Sequence, residues 1–335
     1  MIRARKNIKI IFKYIIAPLL GAWLFYSLYK QIKGQPHLKE SVDLIREAPF
    51  GKMAFQFWIV VLLAFVNWGI EAKKWQRLLQ TIQQINFFTA YKSVLSGVTL
   101  SINTPNRIGE YGGRILYVEE GKRIRAISLS ITGSISQLII TMIIGCIGLA
   151  YVILFKSDNY ALVMGLSMFW IRTLLILSLI ATILIVLFYF RLSWLIRLIE
   201  KMPAAAKYVR HISAVDNLNV KLLLRLLYLS LLRYAVFVIQ YILLLHVLDV
   251  SITWIGGVWI ISILFLILAV VPSFAIADLG IRGKFSTALF SFYSANTVGI
   301  IGTTFGIWFI NLFIPALAGS LLILGIKFLK TNNQD

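Results

Sequence analysis

The chain has 335 residues, of which 59% are hydrophobic and only 14% are charged, and its mean hydropathy is +0.85. Soluble globular proteins are about 45–50% apolar, so this composition predicts a polytopic membrane protein. The longest polar interval, residues 191–221, is shorter than the ~40 residues that a separate folded domain needs. The net charge of +20 indicates basic cytoplasmic loops or attraction to anionic lipid headgroups. No nucleic-acid partner is expected, because no soluble basic domain exists.

Cysteine, histidine and motif content argue against an enzyme. The single cysteine, Cys146, excludes an intramolecular disulfide, and the three histidines lack metal-ligand spacing. No nucleophile motif or phosphate-binding loop occurs, and acidic residues are too sparse for a magnesium–diphosphate site. The sequence therefore predicts no catalytic residue, no metal and no cofactor.

Apolar segments of about 20 residues predict eight spanning helices in an all-α membrane bundle. The predicted spans are residues 10–29, 53–71, 126–154, 161–190, 222–248, 253–277, 285–301 and 303–326. Basic residues cluster before the first span, between the second and third, and between the fourth and fifth, which places both termini in the cytoplasm. We expect one integral membrane domain, residues 1–335, with central spans 126–190 between the halves 1–120 and 222–326.

The linker 191–221 contains the stretch RLSWLIRLIEKMP. Its apolar and charged residues alternate at helical spacing, which is typical of an amphipathic helix lying on the cytoplasmic surface of the membrane. A simple linker helix is the alternative.

The stretch NTPNRIGEYGGR, residues 103–114, follows an apolar run that is too short to cross a bilayer. If this segment crossed the membrane, every later basic loop would change sides. The sequence therefore predicts a re-entrant hairpin over residues 87–120 that enters and leaves on the cytoplasmic side.

The tip of this hairpin carries signals for the start of a helix. Thr104 is a predicted N-cap and Pro105 suits the first helical position, so the returning helix is expected to run from Pro105 to about Glu120. Gly109 and Gly113 are four residues apart, which allows another helix to approach closely.

Charged residues on the returning helix indicate an anion site. Helical spacing would put Arg107, Glu110 and Arg114 on one face. The helix N-terminus, two guanidinium groups and a carboxylate that positions one of them would together bind an anion. The alternative is that the arginines only anchor the segment at the membrane surface.

A second polar interruption, VPSFAIADLGIRGK, spans residues 271–284. Pro272 interrupts the apolar segment, Asp278 could cap the next helix, and Gly280 and Arg282 follow. Paired interruptions of this kind occur at the substrate sites of transporters built from inverted repeats, so an inverted repeat is possible. An ordinary cytoplasmic turn is the alternative.

Arg233 lies eleven residues into its predicted span. An arginine there costs about 3 kcal/mol or more, so it is expected to face a cavity or a partner. Glu71, at the end of the second span, is expected at the membrane interface, with pairing to Arg233 as the alternative.

The segment SINTPNRIGEYGGRILYVEEGKRIRAISLSITGSISQLI resembles the signature region of the lysylphosphatidylglycerol synthetase transmembrane family of flippase-like proteins, and WQRLL after the second span fits the same family. The residues that carry the match are Asn103, Pro105, Arg107, Gly109, Glu110 and Arg114. DLGIRGKFSTALFSF resembles the second motif through Gly280 and Arg282, while Gly283 and Lys284 stand where the family has a glutamate region.

This resemblance implies a multi-pass protein of the bacterial inner membrane. Such a protein contains a hydrophilic cavity and is associated with moving lipids between the leaflets. The expected ligand is a phospholipid or a polyprenyl-phosphate lipid. The expected binding residues are Asn103, Arg107, Glu110, Arg114, Arg233 and Arg282. The expected hinge residues are Pro105, Gly109, Gly113, Pro272 and Gly280.

Other functions stay open. Two-part members of the family carry a soluble aminoacyltransferase domain, and lipid aminoacylation is not expected here because the chain ends at KFLKTNNQD. One alternative is an accessory protein of envelope-lipid biosynthesis. It would bind a lipid or a partner enzyme of that pathway, and it would not transport the lipid. The other is an enzyme acting on a lipid phosphate, in which Glu110 would be essential.

Overall fold

The structure, a computed structural model, describes residues 26, 29, 33, 38–102, 104, 107–155, 168–191, 218–271 and 275–331. These residues form an all-helical bundle without β-strands, which confirms the predicted fold class. Most of the predicted first span, 10–29, and of the linker, 191–221, lies outside the described residues, as do Asn103, Pro105 and Pro272.

The helices are numbered here in chain order within the described residues. They are α1 (Leu38–Glu47), α2 (Ala54–Leu79), α3 (Phe87–Ile102), α4 (Gly109–Arg114), α5 (Arg123–Phe155), α6 (Met168–Phe190), α7 (Val220–Val247), α8 (Trp254–Val270), α9 (Ala275–Phe290), α10 (Thr297–Trp308) and α11 (Ile314–Thr331). Two 3₁₀ turns, Ile115–Tyr117 and Glu120–Lys122, connect α4 to α5, and a π-helical turn, Phe309–Phe313, joins α10 to α11. In this part of the chain, α2, α6, α7 and the stretches Glu120–Phe155 and Thr297–Gly325 are long and apolar enough to cross a membrane.

Helices α2 and α7 form an antiparallel pair. The Gln240 side chain donates to the carbonyl of Val60, near the start of α2, at 2.7 Å, while Lys74, near the end of α2, lies 3.4 Å from the Ser230 hydroxyl. Residues later in α2 therefore contact residues earlier in α7, as expected for antiparallel helices. The C-terminal ends of α2 and α7 therefore lie at opposite ends of the bundle.

Helices α3 and α4 form a first hairpin, residues 87–117, at the C-terminal end of α2. Helix α3 has 16 residues, about 24 Å at 1.5 Å per residue, which is less than the ~30 Å of a bilayer core. The backbone N–H of Glu119, after the hairpin, donates to the side chain of Gln83, before it, at 3.1 Å. The segment therefore returns to the end of the bundle from which it left.

Helices α8 and α9 form a second hairpin, residues 254–290, at the C-terminal end of α7. The side chain of Asn296, after the hairpin, donates to the carbonyl of Leu248, before it, at 3.0 Å. The Tyr293 hydroxyl lies so close to Gly256 that a Cβ there would be 2.8 Å away. The two hairpins therefore open at opposite ends of the bundle.

The C-terminal helices differ from the prediction. A turn divides the predicted span 285–301, and the predicted break between 301 and 303 does not occur, because Thr297–Gly325 continues through it. The Asn296 side chain accepts the backbone N–H of Gly299 at 2.8 Å and caps α10. The predicted spans 285–301 and 303–326 were based only on apolar segments of the sequence. Because such segments do not reveal a helix cap, the predicted boundaries are misplaced.

Buried apolar side chains form two clusters, and buried polar side chains lie where the clusters meet. Along α2 the first cluster reaches Ala64 and the second begins at Trp68, and along α7 the second reaches Leu226 and the first resumes at Tyr234. Asn67 and Arg233 lie at these two boundaries. The apolar core thus surrounds a polar layer in the middle of the bundle.

Candidate functional site

Glu71 is the centre of a buried charge cluster. Its carboxylate lies 2.9 Å from Lys74 Nζ, 3.1 Å from Arg233 Nη1 and 2.7 Å from Arg114 Nη2. Glu71 is only 3% exposed, and the pairing with Arg233, which was the alternative, is confirmed. A carboxylate buried this deeply is stable only when cations and hydrogen bonds surround it, and three cations do so here.

Arg114 is also part of this cluster. It pairs with Glu110, one turn earlier on α4, as well as with Glu71, and its guanidinium lies over the Trp75 ring, 5.5 Å from the centroid. Arg114 is 2% exposed. Arg114 holds the first hairpin against α2 through Glu71, and Glu110 supports Arg114 from the same helix. The binding of a ligand by Arg114 and Glu110 stays a prediction.

The cluster carries an excess of positive charge. Its described members are two carboxylates, Glu71 and Glu110, and three cations, Lys74, Arg114 and Arg233, which gives a net charge of +1. Charges interact strongly in a low-dielectric interior. An anion bound beside the cluster would therefore be electrostatically favoured.

Close backbone contact joins the arms of the first hairpin. A Cβ on Gly113 would lie 2.2 Å from the carbonyl oxygen of Ser96, and a Cβ on Gly109 would lie 2.1 Å from that of Leu100. The predicted close approach at these glycines is confirmed. Larger residues at either position would separate α4 from α3 and displace the ion pairs that α4 carries.

Arg107 lies at the tip of the first hairpin, before α4 begins. Its φ of 59° is in the left-handed region, which costs a non-glycine residue about 1–2 kcal/mol and is frequent at functional sites. The prediction that the helix begins at Pro105 is wrong, because α4 begins at Gly109, whose N–H donates to Thr104 Oγ1 at 2.8 Å. Arg107 therefore does not share a helical face with Glu110.

A chain of side-chain hydrogen bonds fixes Arg233. Its Nε donates to Asn67 Oδ1 at 2.7 Å, and Asn67 Nδ2 donates to Asn311 Oδ1 at 3.1 Å. Asn311 lies in the π-helical turn and donates in turn to Gln240 Oε1 at 3.1 Å. π-Helical turns are frequent at functional sites, and this one places Asn311 in the polar layer.

A cavity of about 310 Å³ opens beside the polar layer, between the tip of the first hairpin and helices α5, α7, α8, α9 and α10. Among the described residues that line it are three arginines, Arg107, Arg233 and Arg282. They come from the first hairpin, from α7 and from the second hairpin. The two hairpins and α7 thus bring three guanidinium groups to one cavity.

Arg282 is held by a carboxylate of its own helix. Its Nε donates to Asp278 Oδ2, one turn earlier on α9, at 2.9 Å, and its side chain is 31% exposed. Asp278 lies in the first turn of α9 rather than at the predicted N-cap position. Gly280 is buried, and because it is two residues from each of them, it lies on the other side of α9 from the Asp278–Arg282 pair.

The sequence matches the family described as Lysylphosphatidylglycerol synthase TM region over residues 11–319. The chain belongs to this family. The match includes both hairpins and all the arginines of the cavity. No match to a curated protein was found. The family description connects this member of the lysylphosphatidylglycerol synthase TM region family with membrane lipids.

Sequence reasoning missed several residues that build the polar layer of this family member. Lys74, which is 1% exposed, was counted as one basic residue of a cytoplasmic cluster, and Asn311 lies within an apolar run and was not considered. Lys74 follows Glu71 at one-turn spacing, and this spacing could have indicated an ion pair within the span. The other cavity groups, such as Gln137 and Tyr241, had no sequence signal.

Proposed function

We propose that this protein is a flippase-like lipid transporter that binds an anionic or phosphate-bearing headgroup in the cavity between its two hairpins. The observation that carries the proposal is the convergence of Arg107, Arg233 and Arg282 on that cavity. Intramembrane arginines are costly and usually mark a substrate pathway. The proposed location is the bacterial inner membrane with both termini in the cytoplasm, and no chemical step is proposed.

The arginines keep donors for a ligand. Arg233 uses Nε for Asn67 and Nη1 for Glu71, and no described residue bonds its Nη2. Arg282 uses its Nε for Asp278, and the side chain of Arg107 is exposed and has no ion pair with the described residues. Guanidinium groups bind phosphate oxygens through paired N–H donors. The cavity thus supplies the groups that a phosphate requires.

The cavity suits a headgroup rather than a whole lipid. Its volume of about 310 Å³ is at the lower end of the ~300–1,000 Å³ of small-molecule sites. Apolar side chains of α8, Leu264, Phe265 and Leu268, form one side of it. A lipid could place its phosphate at the arginines while its acyl chains stay in the bilayer.

The oppositely opening hairpins support access from either side of the membrane. Transporters with inverted repeats bind their substrates between such elements and move one against the other. Gly109 and Gly113 are packed against α3, and Gly280 is buried. Movement of a whole hairpin therefore fits this packing better than bending at these predicted hinges.

Leaflet exchange in proteoliposomes tests the proposal. Fluorescent phosphatidylglycerol with the label on an acyl chain is added, and bleaching by external dithionite reports the outer-leaflet fraction. Arg282→Gln should lower the exchange rate about tenfold or more, as expected for losing a charge-assisted hydrogen bond. Lys284→Gln, a half-buried position two residues further along α9 and not among the lining residues, is the matched control.

Each outcome of this experiment is decisive for the proposal. Exchange by the wild type and the control, but not by Arg282→Gln, supports it. Wild-type protein that binds the lipid without exchanging it would overturn transport and favour the accessory role. Equal exchange by Arg282→Gln and the control would overturn the site.

A further inference from the structure

A chain of three hydroxyl groups crosses the cavity wall, and one arrangement of their protons satisfies every contact in the chain. Thr304 Oγ1 donates to the carbonyl of Ile300 at 2.9 Å. The Tyr241 hydroxyl lies 2.8 Å from Thr304 Oγ1 and 3.1 Å from Ser286 Oγ. A hydroxyl has one proton, so all three contacts are hydrogen bonds at the same time only when Tyr241 donates to Thr304 and Ser286 donates to Tyr241. In this arrangement all three protons are used inside the protein.

Two further hydroxyls on the lining are also occupied as donors. The Tyr234 hydroxyl donates to Ser262 Oγ at 2.9 Å, because Ser262 gives its own proton to the carbonyl of Val258 at 2.6 Å. Thr141 donates to the carbonyl of Gln137 at 3.0 Å. The five hydroxyl groups on the described lining therefore have only lone pairs left for a ligand.

The cavity consequently separates donors from acceptors. Its donors are the guanidinium groups, the indole N–H of Trp308 and the amide N–H groups of Gln137, which donate to the carbonyl of Ser230 at 3.4 Å. Its hydroxyls are acceptors, and the side-chain oxygen of Gln137 adds another acceptor that has no partner in the described part of the chain. An anion without hydrogen-bond donors would pair with the donors of the cavity and leave its acceptors without a partner.

We infer that Thr141, Tyr234, Tyr241, Ser286 and Thr304 form a specificity subsite that accepts hydrogen bonds from the headgroup. This inference rests on the proposed function and narrows its ligand to a phosphate-bearing headgroup that also carries hydroxyl or ammonium donors. A site with polar groups aimed at a ligand discriminates against analogues that leave those groups unpaired. A phosphate ester without donors is therefore the disfavoured ligand.

Two matched lipid pairs test the inference by competition in native mass spectrometry of the purified protein. Phosphatidylglycerol and phosphatidylmethanol carry the same charge, but only the first has hydroxyl donors. Phosphatidylethanolamine and phosphatidylcholine are both zwitterionic, but only the first has N–H donors. The donor-bearing member of at least one pair should bind about fivefold more tightly, as expected for one neutral hydrogen bond. The pair that shows the preference identifies the donor as hydroxyl or ammonium.

A variant connects any preference to the hydroxyl chain. Thr304→Val removes the acceptor of the Tyr241 proton, so one hydroxyl proton becomes available to the cavity and the preference should fall towards equal binding. Thr182→Val is the matched control, because Thr182 also bonds a carbonyl one turn earlier, that of Ser178 at 2.6 Å, but is on α6 away from the lining. Ser286→Ala, which removes one acceptor, is the second variant if Thr304→Val does not fold.

The outcomes separate this inference from the function on which it rests. If none of the lipids binds, the proposed function fails. If lipids bind and both pairs bind equally, only the subsite fails. A preference that persists unchanged in Thr304→Val and Ser286→Ala would also overturn the subsite.

Discussion

Arg233 connects the cavity to the buried charge cluster, because its Nη1 lies 3.1 Å from Glu71 Oε2 while the same side chain lines the cavity. Its guanidinium also lies over the rings of Trp68 and Phe237, 5.0 Å and 5.5 Å from the centroids. A rigid guanidinium loses little conformational entropy when a ligand binds it. The cluster therefore prepares Arg233 to receive an anion.

Glu71→Gln should destabilise the protein strongly. The substitution leaves Lys74, Arg114 and Arg233 with one fewer buried counter-charge, and breaking a buried ion pair costs about 3–5 kcal/mol. The apparent Tm in detergent, followed by tryptophan fluorescence, should fall clearly. The control is Glu119→Gln, whose partner is Lys122 and whose side chain is 60% exposed, since exposed pairs contribute at most about 1 kcal/mol. Equal Tm values for the two variants would contradict the buried cluster.

Arg114→Ala should reduce stability rather than only block transport. It removes the shared partner of the buried Glu71 and the half-buried Glu110 and leaves the two carboxylates without it. The double variant Glu110→Ala/Arg114→Ala should recover part of the lost Tm, because the carboxylate that depends on Arg114 is removed with it. A stable Arg114→Ala protein that has lost lipid binding would instead show that Arg114 contacts the headgroup.

Gly113→Ala should open the first hairpin, whereas Gly112→Ala should not. A Cβ at 113 would lie 2.2 Å from the Ser96 carbonyl oxygen, while a Cβ at 112 would meet its nearest atom, in the Leu100 side chain, at 3.9 Å. Overpacking typically costs about 1–3 kcal/mol. Yield and apparent Tm of the two neighbouring variants provide the comparison, and the close contact between α3 and α4 is contradicted if both behave like the wild type.

The two hairpins should open on opposite faces of the membrane. Single cysteines at Glu119 and Ser251, both exposed, are introduced separately after replacing the one native cysteine with Cys146→Ala. A membrane-impermeant maleimide should label Ser251→Cys in intact cells and Glu119→Cys only in inverted vesicles. The second result follows from the basic residues around 119, which place that end in the cytoplasm. Labelling of both positions from the same side would exclude the opposed arrangement.

The sequence predicted the class of fold and the position of the first hairpin, because apolar length and basic loops report membrane topology directly. Gly109 and Gly113 were recognised because close helix contact requires small residues at that spacing. Glu71 was placed at the interface because burial depends on three cations, two of them far along the chain. Such long-range pairing leaves no local pattern.

The cavity was predictable only in part. Arg107, Arg233 and Arg282 were all candidate ligand residues, and the structure brings them to one cavity. Arg114 was a candidate as well, but its sequence environment does not reveal that two carboxylates enclose it. The role of the Tyr241 hydroxyl, in contrast, could not be predicted, because its hydrogen-bond partners lie on two other helices.

Binding of phosphatidylglycerol to the purified protein, measured by native mass spectrometry, tests the central role of the arginine-lined cavity most directly. The variant to use is Arg107→Asn/Arg282→Gln, because asparagine tolerates the left-handed backbone at 107, and Lys284→Gln is the control. The account predicts that the double variant binds the lipid at least about tenfold more weakly, since charge-assisted hydrogen bonds are lost, while the control binds like the wild type. Equal binding by the double variant and the control would contradict it.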